Sequence, residues 1–374
     1  EVALSAPTPY FLDLTAFPTL FPVRRDIIET NGNQWALKPE TYIGNGPFKL
    51  AEWRSKDHMK FVPNENYWDR DRIKLDAVIK TFIAEASTML AGYEAGELDV
   101  IDSVPFSEID HLKNSGEFQM VTQLGTYYYC FNVTEPPFDN AKVRKAFALA
   151  LDREDLANKV RKSGVPATAF VPPGVPDTAA GKDFRAVGGD FFPTKAQPEE
   201  AGRLLAEAGY PGGEGFPDVT LKFNTSEEHQ RIAEAALEMW KQNLGITNVT
   251  LQNQEWTVFL DTRQNGDFQI ARHGWVGDYM DAMTFINPFT TNNGNNNTQW
   301  SNKDFDEIVK KARLATDETQ RMALLHEGEK LFLEDTIMIP ILYYTENCMI
   351  KPYVKGLDKS MLGFTFFDKV DIEK

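Results

Sequence analysis

The chain has 374 residues, enough for two or three domains of ordinary size, and 42% of them are hydrophobic. Its 39 basic and 55 acidic residues give a net charge of −16, which repels the phosphate backbone of nucleic acids and argues against a nucleic-acid partner. The most apolar run, residues 337–344, is far shorter than the roughly 20 residues that cross a bilayer. We therefore predict a folded globular protein without a membrane-spanning helix.

The two cysteines and the first residues carry information about the cellular compartment. Cys130 and Cys348 are too few for a disulfide scaffold or a thiolate metal site, although they allow one bridge in an oxidising compartment. Residues 1–7 (EVALSAP) lack a basic segment followed by an apolar one. We therefore expect no signal peptide in this sequence, which can still be a processed or trimmed chain.

The first third of the chain alternates short strand-like runs with turns. Residues 78–83 (VIKTFI) predict a strand, because they are rich in β-branched and aromatic types, and residues 86–95 predict a short helix. Residues 126–133 (TYYYCFNV) predict a clear strand. An amphipathic helix follows it after two prolines, with Asp139 as the expected cap.

A strand, a helix and a second strand follow one another in the middle of the chain. Residues 219–224 (VTLKFN) and 249–251 (VTL) predict the strands, and between them Thr225 and Glu228 predict a capping box for a helix that ends at Gly245. This order predicts an α/β domain with parallel strand pairing.

The remaining elements are predicted in the same way. They are an ordered, proline-rich loop that wraps over a surface at 165–198, a helix from Pro198 to Gly209, a strand at 268–275, an asparagine-rich loop at 292–297, helices near 304–314 and 318–334, and an apolar strand at 337–344.

The usual catalytic signatures are absent from the sequence. There is no His-Glu-x-x-His, no Gly-x-Ser-x-Gly, no phosphate loop and no Gly-x-Gly-x-x-Gly after a strand. The five histidines are dispersed, with no i, i+4 pair that would favour a local metal site. We therefore expect neither an enzyme nor a cofactor or metal.

Residues 267–279 (DFQIARHGWVGDY) stand out as a strand that leads into a glycine-containing loop. Its glycines expose backbone groups, Trp275 offers an aromatic surface, and Asp278 and Arg272 offer opposite charges for a zwitterionic ligand. The alternative is a turn at the end of a strand, in which Asp278 caps a helix and pairs with Arg272. Composition and spacing alone leave both interpretations open.

Several other polar and aromatic residues are equally ambiguous. The tyrosines at 127–129 can line a cleft or fill a core, and Trp240 and Trp256 have spacings typical of core residues. Asn224 and His229 follow the carboxyl end of a predicted strand, where α/β domains bind ligands, but capping roles are as plausible there.

Taken together, several blocks resemble the extracellular oligopeptide-binding proteins of ABC importers. The blocks run in family order along nearly the whole chain, at 44–50 (GNGPFKL), 64–68 (NENYW), 93–99 (YEAGELD), 136–153 (PPFDNAKVRKAFALALDR), 204–210 (LLAEAGY), 254–263 (QEWTVFLDTR) and 271–279 (ARHGWVGDY). The last two blocks are most similar to the oligopeptide and murein-peptide branch of the family.

The resemblance implies an α/β, two-lobed periplasmic-binding-protein-like fold, of which this chain is the C-terminal portion of a larger clamshell. Residues 1–124 are then the remainder of lobe I, residues 125–345 are lobe II, and residues 346–374 return to lobe I. It further implies that a short peptide is captured between the lobes, that hinge closure follows, and that the peptide is delivered to an ABC permease in the cytoplasmic membrane. A periplasmic or lipid-anchored cell-surface monomer is expected.

The resemblance also assigns ligand-binding residues. Asp278 falls where these proteins hold the α-amino group of the peptide, and Gly274, Trp275 and Val276 fall where the backbone pairs with it as an added strand. The positions that line side-chain pockets or meet the carboxylate of the peptide are Arg272, Arg263, Trp256, His229, Asn224, Tyr128 and Tyr344.

The sequence departs from the family pattern in three ways. Family members extend further at the N-terminus, so we expect a fragment that lacks part of the pocket. Cys130 replaces a pocket acid, which weakens any preference for basic side chains there. Gly125 and Val276 occupy the positions of a disulfide found in relatives, so we expect the pocket loop to be more mobile.

Other functions remain open at this point. Within the binding class, the alternatives are a murein peptide, an opine-like compound or an oligosaccharide. From a different class, the alternative is a glycosidase that uses the carboxylate pair of Asp278 and Asp281.

Overall fold

The computed structural model describes residues 1–4, 6–179 and 182–374, which form two compact units. The larger unit comprises Glu1–Leu14 and Thr122–Thr345, and the smaller unit comprises Thr15–Val121 and Glu346–Lys374. The first segment therefore groups with the larger unit, which differs from the expected division at residues 1–124. The assignment of the units to the lobes of a clamshell stays a prediction.

The strands are β1 (Phe48–Arg54), β2 (His58–Pro63), β3 (Val78–Thr81), β4 (Val100–Ile101), β5 (Phe118–Phe131), β6 (Val165–Pro166), β7 (Val219–Asn224), β8 (Val249–Gln254), β9 (Ile270–Val276), β10 (Met338–Ile350), β11 (Val354–Lys355), β12 (Asp358–Lys359), β13 (Thr365–Phe366) and β14 (Asp371–Ile372).

The α-helices are α1 (Phe11–Leu14), α2 (Arg25–Asn31), α3 (Ala86–Glu94), α4 (Ile109–Leu112), α5 (Ala141–Leu149), α6 (Arg153–Asp155), α7 (Phe184–Gly188), α8 (Pro198–Glu207), α9 (Glu227–Leu244), α10 (Trp256–Asn265), α11 (Met283–Ile286), α12 (Lys303–Leu314) and α13 (Glu318–Glu334). A π turn, Leu156–Val160, continues α6, and 3₁₀ turns lie at Pro18–Leu20, Gly32–Gln34, Arg70–Arg72, Pro211–Gly213 and Asn287–Phe289.

The larger unit is built on a mixed sheet in which the strands follow the order β10-β5-β9-β7-β8, with β6 paired to β10. β7 pairs in parallel with β8 and with β9, whereas β5 and β9 are antiparallel. The parallel pairing predicted from the strand-helix-strand order is therefore confirmed. β5 and β10 extend beyond the predicted runs, and the chain passes between the two units within these strands.

Helix α9 covers one face of this sheet because its apolar residues recur at helical spacing. Ile232, Ala236 and Trp240 are buried, and the Trp240 indole N–H donates to the Phe147 carbonyl at 3.0 Å. The helix ends at Gly245, whose φ of 72° lies in the left-handed region that glycine adopts without strain, as the sequence predicts.

Two predicted helix caps are wrong by one residue. Ser226, not Thr225, lies at the N-cap of α9, because the Thr225 hydroxyl donates to Asn253 Oδ1 at 2.7 Å instead of capping the helix. Asn140, not Asp139, caps α5, and its Oδ1 accepts from the Lys142 N–H at 2.9 Å. The Asn140 side chain therefore caps α5, whereas the Ser226 side chain makes no capping hydrogen bond to α9.

The proline-rich loop is ordered where the structure describes it, and residues 180 and 181 of the predicted range lie outside the described residues. Glu329 of α13 holds the loop from within the core. Its carboxylate accepts from the Phe170 and Val171 N–H groups at 3.2 and 2.8 Å and from Arg185 Nη1 at 2.8 Å. These bonds satisfy a fully buried charge and anchor the loop.

The smaller unit contains a β1-β2-β3 sheet, the β11-β14 and β12-β13 ribbons, and the pairing of β4 with the end of β10. One of its cores surrounds Leu90 and Tyr93 of α3. The Tyr93 hydroxyl donates to Glu117 at 2.8 Å. Cys130 in the larger unit and Cys348 in the smaller one are both buried free thiols, and burial raises the pKa of Cys130 to about 12.

Candidate functional site

The candidate site is built around β9, which is paired fully on one edge only. The Gly277 N–H donates to the Leu124 carbonyl of β5 at 2.7 Å, and residues two apart in a strand point to the same edge. The backbone N–H and C=O groups of His273 and Trp275 therefore point towards β5, whereas those of Gly274 and Val276 point towards the other edge. On that other edge β7 pairs with β9 only at residues 270 and 271, so no described strand pairs with Gly274 or Val276 there.

A cluster of polar side chains surrounds Arg272 on the face of the sheet that α9 covers. Its Nη2 donates to the Tyr344 hydroxyl at 2.7 Å and its Nη1 to Asn224 Oδ1 at 3.4 Å. The guanidinium carbon lies 4.9 Å from the centre of the Tyr127 ring, and the His229 ring lies 5.5 Å from the same ring. We call Arg272, Tyr344, Asn224, Tyr127 and His229 the arginine cluster.

The arginine cluster has a positive charge that no carboxylate of the described chain neutralises by direct contact. The oxygens that bind Arg272 belong to uncharged side chains, and its Nε is buried without a hydrogen-bond partner. Burial, and then the charges of Arg272 and Arg161, lower the pKa of His229 to about 3, so this imidazole is neutral at physiological pH. The cluster can therefore accept a carboxylate from a ligand.

Gly274 permits this arrangement because it has no side chain. A Cβ at this position would overlap the Tyr344 hydroxyl and come within 3.3 Å of Arg272 Nη2. Gly125, directly opposite Val276 in the β5–β9 register, is also required, because its Cβ would lie 2.8 Å from Tyr344 Cδ2. Glycines at these two positions allow the Tyr344 ring to lie over the strand pair.

Tyr128 lies on the opposite face of the sheet from the arginine cluster. It is buried, its ring stacks on His273 with centroids 4.7 Å apart, and the Phe170 ring packs edge-on against it. The tyrosine that contacts Arg272 is Tyr127, because strand residues alternate between faces. The sequence predicts that tyrosines of the run 127–129 line a cleft or fill a core, but only the pairing register with β9 shows which tyrosine contacts the arginine cluster.

A second arginine, Arg263, lies on α10. It is only 9% exposed, and the part of the chain that the structure describes provides no carboxylate within ion-pair distance. Its guanidinium packs against the rings of Phe259 and Trp256, with centroid distances of 5.2 and 6.0 Å. Burial lowers the pKa of Arg263, and Cys130 opposes this shift. Arg263 and Trp256 thus form a group separate from the arginine cluster.

Asp278 lies in the loop after β9 and is exposed. Its N–H donates to the Thr284 hydroxyl at 3.2 Å, but its carboxylate makes no hydrogen bond or ion pair with the described residues. Desolvation by the surrounding chain raises the pKa of this carboxyl. Asp278 neither pairs with Arg272 nor caps a helix, so the two contacts of the alternative interpretation are absent.

The loop that carries Asp278 is fastened to α13. Arg321 donates from Nη1 to Asp281 Oδ2 at 2.8 Å and from Nη2 to Oδ1 at 2.6 Å, and both side chains are buried. In the same loop, the Tyr279 ring stacks on Tyr10 with centroids 4.6 Å apart. Sequence analysis missed Arg321 and Tyr10, because both are distant from the loop in the chain and no local pattern marks them.

The structure does not support the glycosidase alternative, because Asp281 is not available as the partner of Asp278. Both oxygens of the buried Asp281 are engaged, Oδ1 by Arg321 and the Met283 N–H and Oδ2 by Arg321, which does not suit general acid or base chemistry. Among the described residues, no group of three or more His, Cys, Asp or Glu side chains could hold a metal ion. No helix in the described ranges is both long and apolar enough to cross a membrane.

Comparison with known proteins identifies the family of the chain. Residues 1–297 match the family model described as bacterial extracellular solute-binding proteins, family 5 Middle. The chain belongs to this family. It is 37% identical over 371 residues to the dipeptide-binding protein DppE of Bacillus subtilis, a match that covers 97% of this chain and 66% of DppE. The chain thus spans about two thirds of the length of this relative.

Solved structures of the family have the same fold. The complex of Haemophilus influenzae OppA with the peptide RPPGFSPFR has a TM-score of 0.79 at 33% identity, and the murein tripeptide binding protein MppA of Escherichia coli has 0.81 at 33%. Each match covers 99% of this chain and 72% of the other. The expected α/β periplasmic-binding-protein-like fold and family are confirmed, and these relatives are named as binding proteins.

Proposed function

We propose that this chain captures short peptides as part of the substrate-binding component of an ABC importer. The observation that carries the proposal is the combination, at one strand end, of an exposed, unpartnered carboxylate at Asp278 with the unpaired edge of β9 at Val276. A peptide offers the complementary groups, which are an ammonium at one end and a regular series of backbone amides.

The carboxylate of Asp278 binds the α-amino group of the peptide. An ammonium has three donors, and a charge-assisted hydrogen bond to a carboxylate is roughly twice as strong as a neutral one. Because nothing in the described chain occupies this carboxylate, a ligand ammonium displaces no protein partner.

The backbone of the peptide extends the sheet along the edge of β9. Main-chain hydrogen bonds of this kind give affinity without reading side chains, which suits a binder that accepts peptides of varied sequence. The carboxylate of a short peptide, or an acidic side chain, then reaches the arginine cluster, where Arg272 lacks an anionic partner.

A second candidate ligand is a murein peptide or another acidic peptide. The observation that favours it is Arg263, a buried cation that no described carboxylate neutralises, with Cys130 rather than an acid on the facing strand. A ligand that supplies a second carboxylate would neutralise this charge.

The wider role follows from the proposed ligand. The chain works without catalysis, outside the cytoplasmic membrane, as a periplasmic protein or a lipid-anchored one. It acts as a monomer that delivers its peptide to a membrane permease. Among the predicted site residues, Trp256 is 47% exposed and offers apolar surface to a ligand, whereas Tyr128 is buried and offers none.

The test is to identify the small molecules that co-purify with the protein. We expect native mass spectrometry to show bound species, and sequencing after denaturation to show that they are peptides of a few residues. Asp278→Asn removes the charge at nearly constant size and should lower peptide affinity by more than about tenfold.

Asp218→Asn is the matched control, because Asp218 is exposed and precedes β7 at the end of that strand away from Asn224. It should leave the peptide content unchanged. Retention of the same peptides by Asp278→Asn, or release of a non-peptide solute from the wild type, would contradict the proposal.

A further inference from the structure

Gly274 and Val276 both point their backbone groups to the unpaired edge of β9, but these groups are not equally accessible. Val276 is 45% exposed, and no described strand or side chain bonds its edge groups. At Gly274, in contrast, the imidazole of the preceding residue occupies the edge. His273 Nδ1 lies 2.8 Å from the Gly274 nitrogen and 3.0 Å from the Gly274 oxygen.

Nδ1 contacts the two backbone groups of Gly274 that a pairing strand would use. The N–H and C=O of a strand residue point to the same edge, and a hydrogen-bonded pair in an antiparallel ladder engages both groups. His273 Nε2 lies 3.0 Å from Asn297 Oδ1, and because an amide oxygen only accepts, we assign the hydrogen to Nε2. Nδ1 therefore accepts from the Gly274 N–H, and its ring blocks the approach to the Gly274 carbonyl.

Three contacts hold the imidazole in place. The ring is stacked on Tyr128 with an angle of 12° between the planes, Asn297 binds the far nitrogen, and Gly274 binds the near one. His273 is only 6% exposed, so moving the ring away from the edge would leave a buried cavity and an unpaired amide.

We propose that His273 is a specificity-determining residue that closes the strand edge at Gly274, so that a peptide backbone pairs with β9 at Val276 and not at Gly274. This inference rests on the proposed peptide binding. It limits backbone recognition to the amino-terminal end of the ligand, near Asp278. Further along the ligand, recognition depends on the arginine cluster and not on added strand bonds.

The experiment uses tetra-alanine and its three analogues that each carry one N-methylated amide, with affinities measured by calorimetry. N-methylation removes a single ligand N–H. Since residues two apart face the same edge, His273→Ala should make one additional position sensitive to N-methylation, with a loss of about two- to tenfold there, the value of one hydrogen bond.

Phe170→Leu is the control for loss of packing, because Phe170 packs edge-on against the Tyr128 ring on which His273 stacks. It should keep the wild-type set of sensitive positions. If the wild type already shows the same sensitive positions as His273→Ala, the ligand displaces the imidazole and the proposal is wrong. If His273→Ala does not fold, exchange of the Gly274 amide in the wild type decides the proposal.

Hydrogen exchange of the Gly274 amide, followed by NMR without ligand, separates this proposal from the proposed function. Protection in the wild type that is lost in His273→Ala shows that the imidazole holds the edge. Rapid exchange in the wild type would overturn the inference. Failure of tetra-alanine and all its analogues to bind the wild type would instead count against peptide capture.

Discussion

At the scale of single residues, the arginine cluster depends on the absence of a side chain at Gly274. We expect Gly274→Ala to destabilise the larger unit by about 1–3 kcal/mol, the usual cost of overpacking, because the new methyl group would overlap the Tyr344 hydroxyl. Urea unfolding followed by tryptophan fluorescence measures the change.

Gly202→Ala is the control for the general effect of replacing a glycine. Gly202 lies inside α8, and a Cβ there would meet no atom within 4 Å. We expect this variant to be neutral or more stable by about 0.4–1 kcal/mol. Equal stability changes in the two variants would show that the close packing at Gly274 is unimportant.

The sequence allowed only part of this residue-scale detail to be predicted. Arg272, Asn224, His229 and Tyr344 were placed in the site by family resemblance, and the structure brings them together. Tyr127 could not be distinguished from Tyr128, because the face of each tyrosine depends on the long-range register of β5 and β9.

At the scale of elements, the Asp278 loop is held by an ion pair to α13. Arg321→Met would leave Asp281 buried with neither Arg321 hydrogen bond, and we expect a loss of about 3–5 kcal/mol in unfolding free energy. The double variant Asp281→Leu with Arg321→Met should recover much of this loss, because it removes both charges. Chemical denaturation of the three proteins measures the effect.

Arg203→Met provides the exposed counterpart. Arg203 of α8 pairs with Glu200 and Glu207, but its side chain is 54% exposed, so we expect a change in unfolding free energy much smaller than that of Arg321→Met. A loss as large as that of Arg321→Met would indicate that burial does not increase the contribution of the Asp281–Arg321 pair to the unfolding free energy.

Elements were more predictable than the contacts between them. The predicted strand at 219–224 coincides with β7, and the predicted helices near 304–314 and 318–334 correspond to α12 and α13. Local periodicity and capping residues determine these elements. The Asp281–Arg321 pair joins residues 40 positions apart, and no local pattern encodes it.

At the scale of the whole molecule, buried neutral histidine makes stability depend on pH. The pKa of His229 is about 3 in the folded chain, whereas an unfolded histidine titrates near ~6.5. Below this value the unfolded state binds more protons, so the contribution of His229 is complete above about pH 6.5 and is lost as the pH falls towards 3.

The unfolding free energy should therefore fall less between pH 7 and pH 4.5 in His229→Gln than in the wild type. We expect the difference to be about 1–3 kcal/mol. Calorimetric unfolding at both pH values measures this difference, and His111→Gln, at an exposed position of the smaller unit, serves as the control. An equal loss in His229→Gln and the wild type would show that His229 is not held neutral by burial.

The central claim is that the Asp278 carboxylate binds the α-amino group of a peptide, and it is tested most directly by a change in the ligand. Calorimetry compares tetra-alanine with N-acetyl-tetra-alanine, which keeps the backbone but lacks the ammonium. We predict that acetylation abolishes binding to the wild type or weakens it more than about tenfold. Equal affinity for the two ligands would contradict the account.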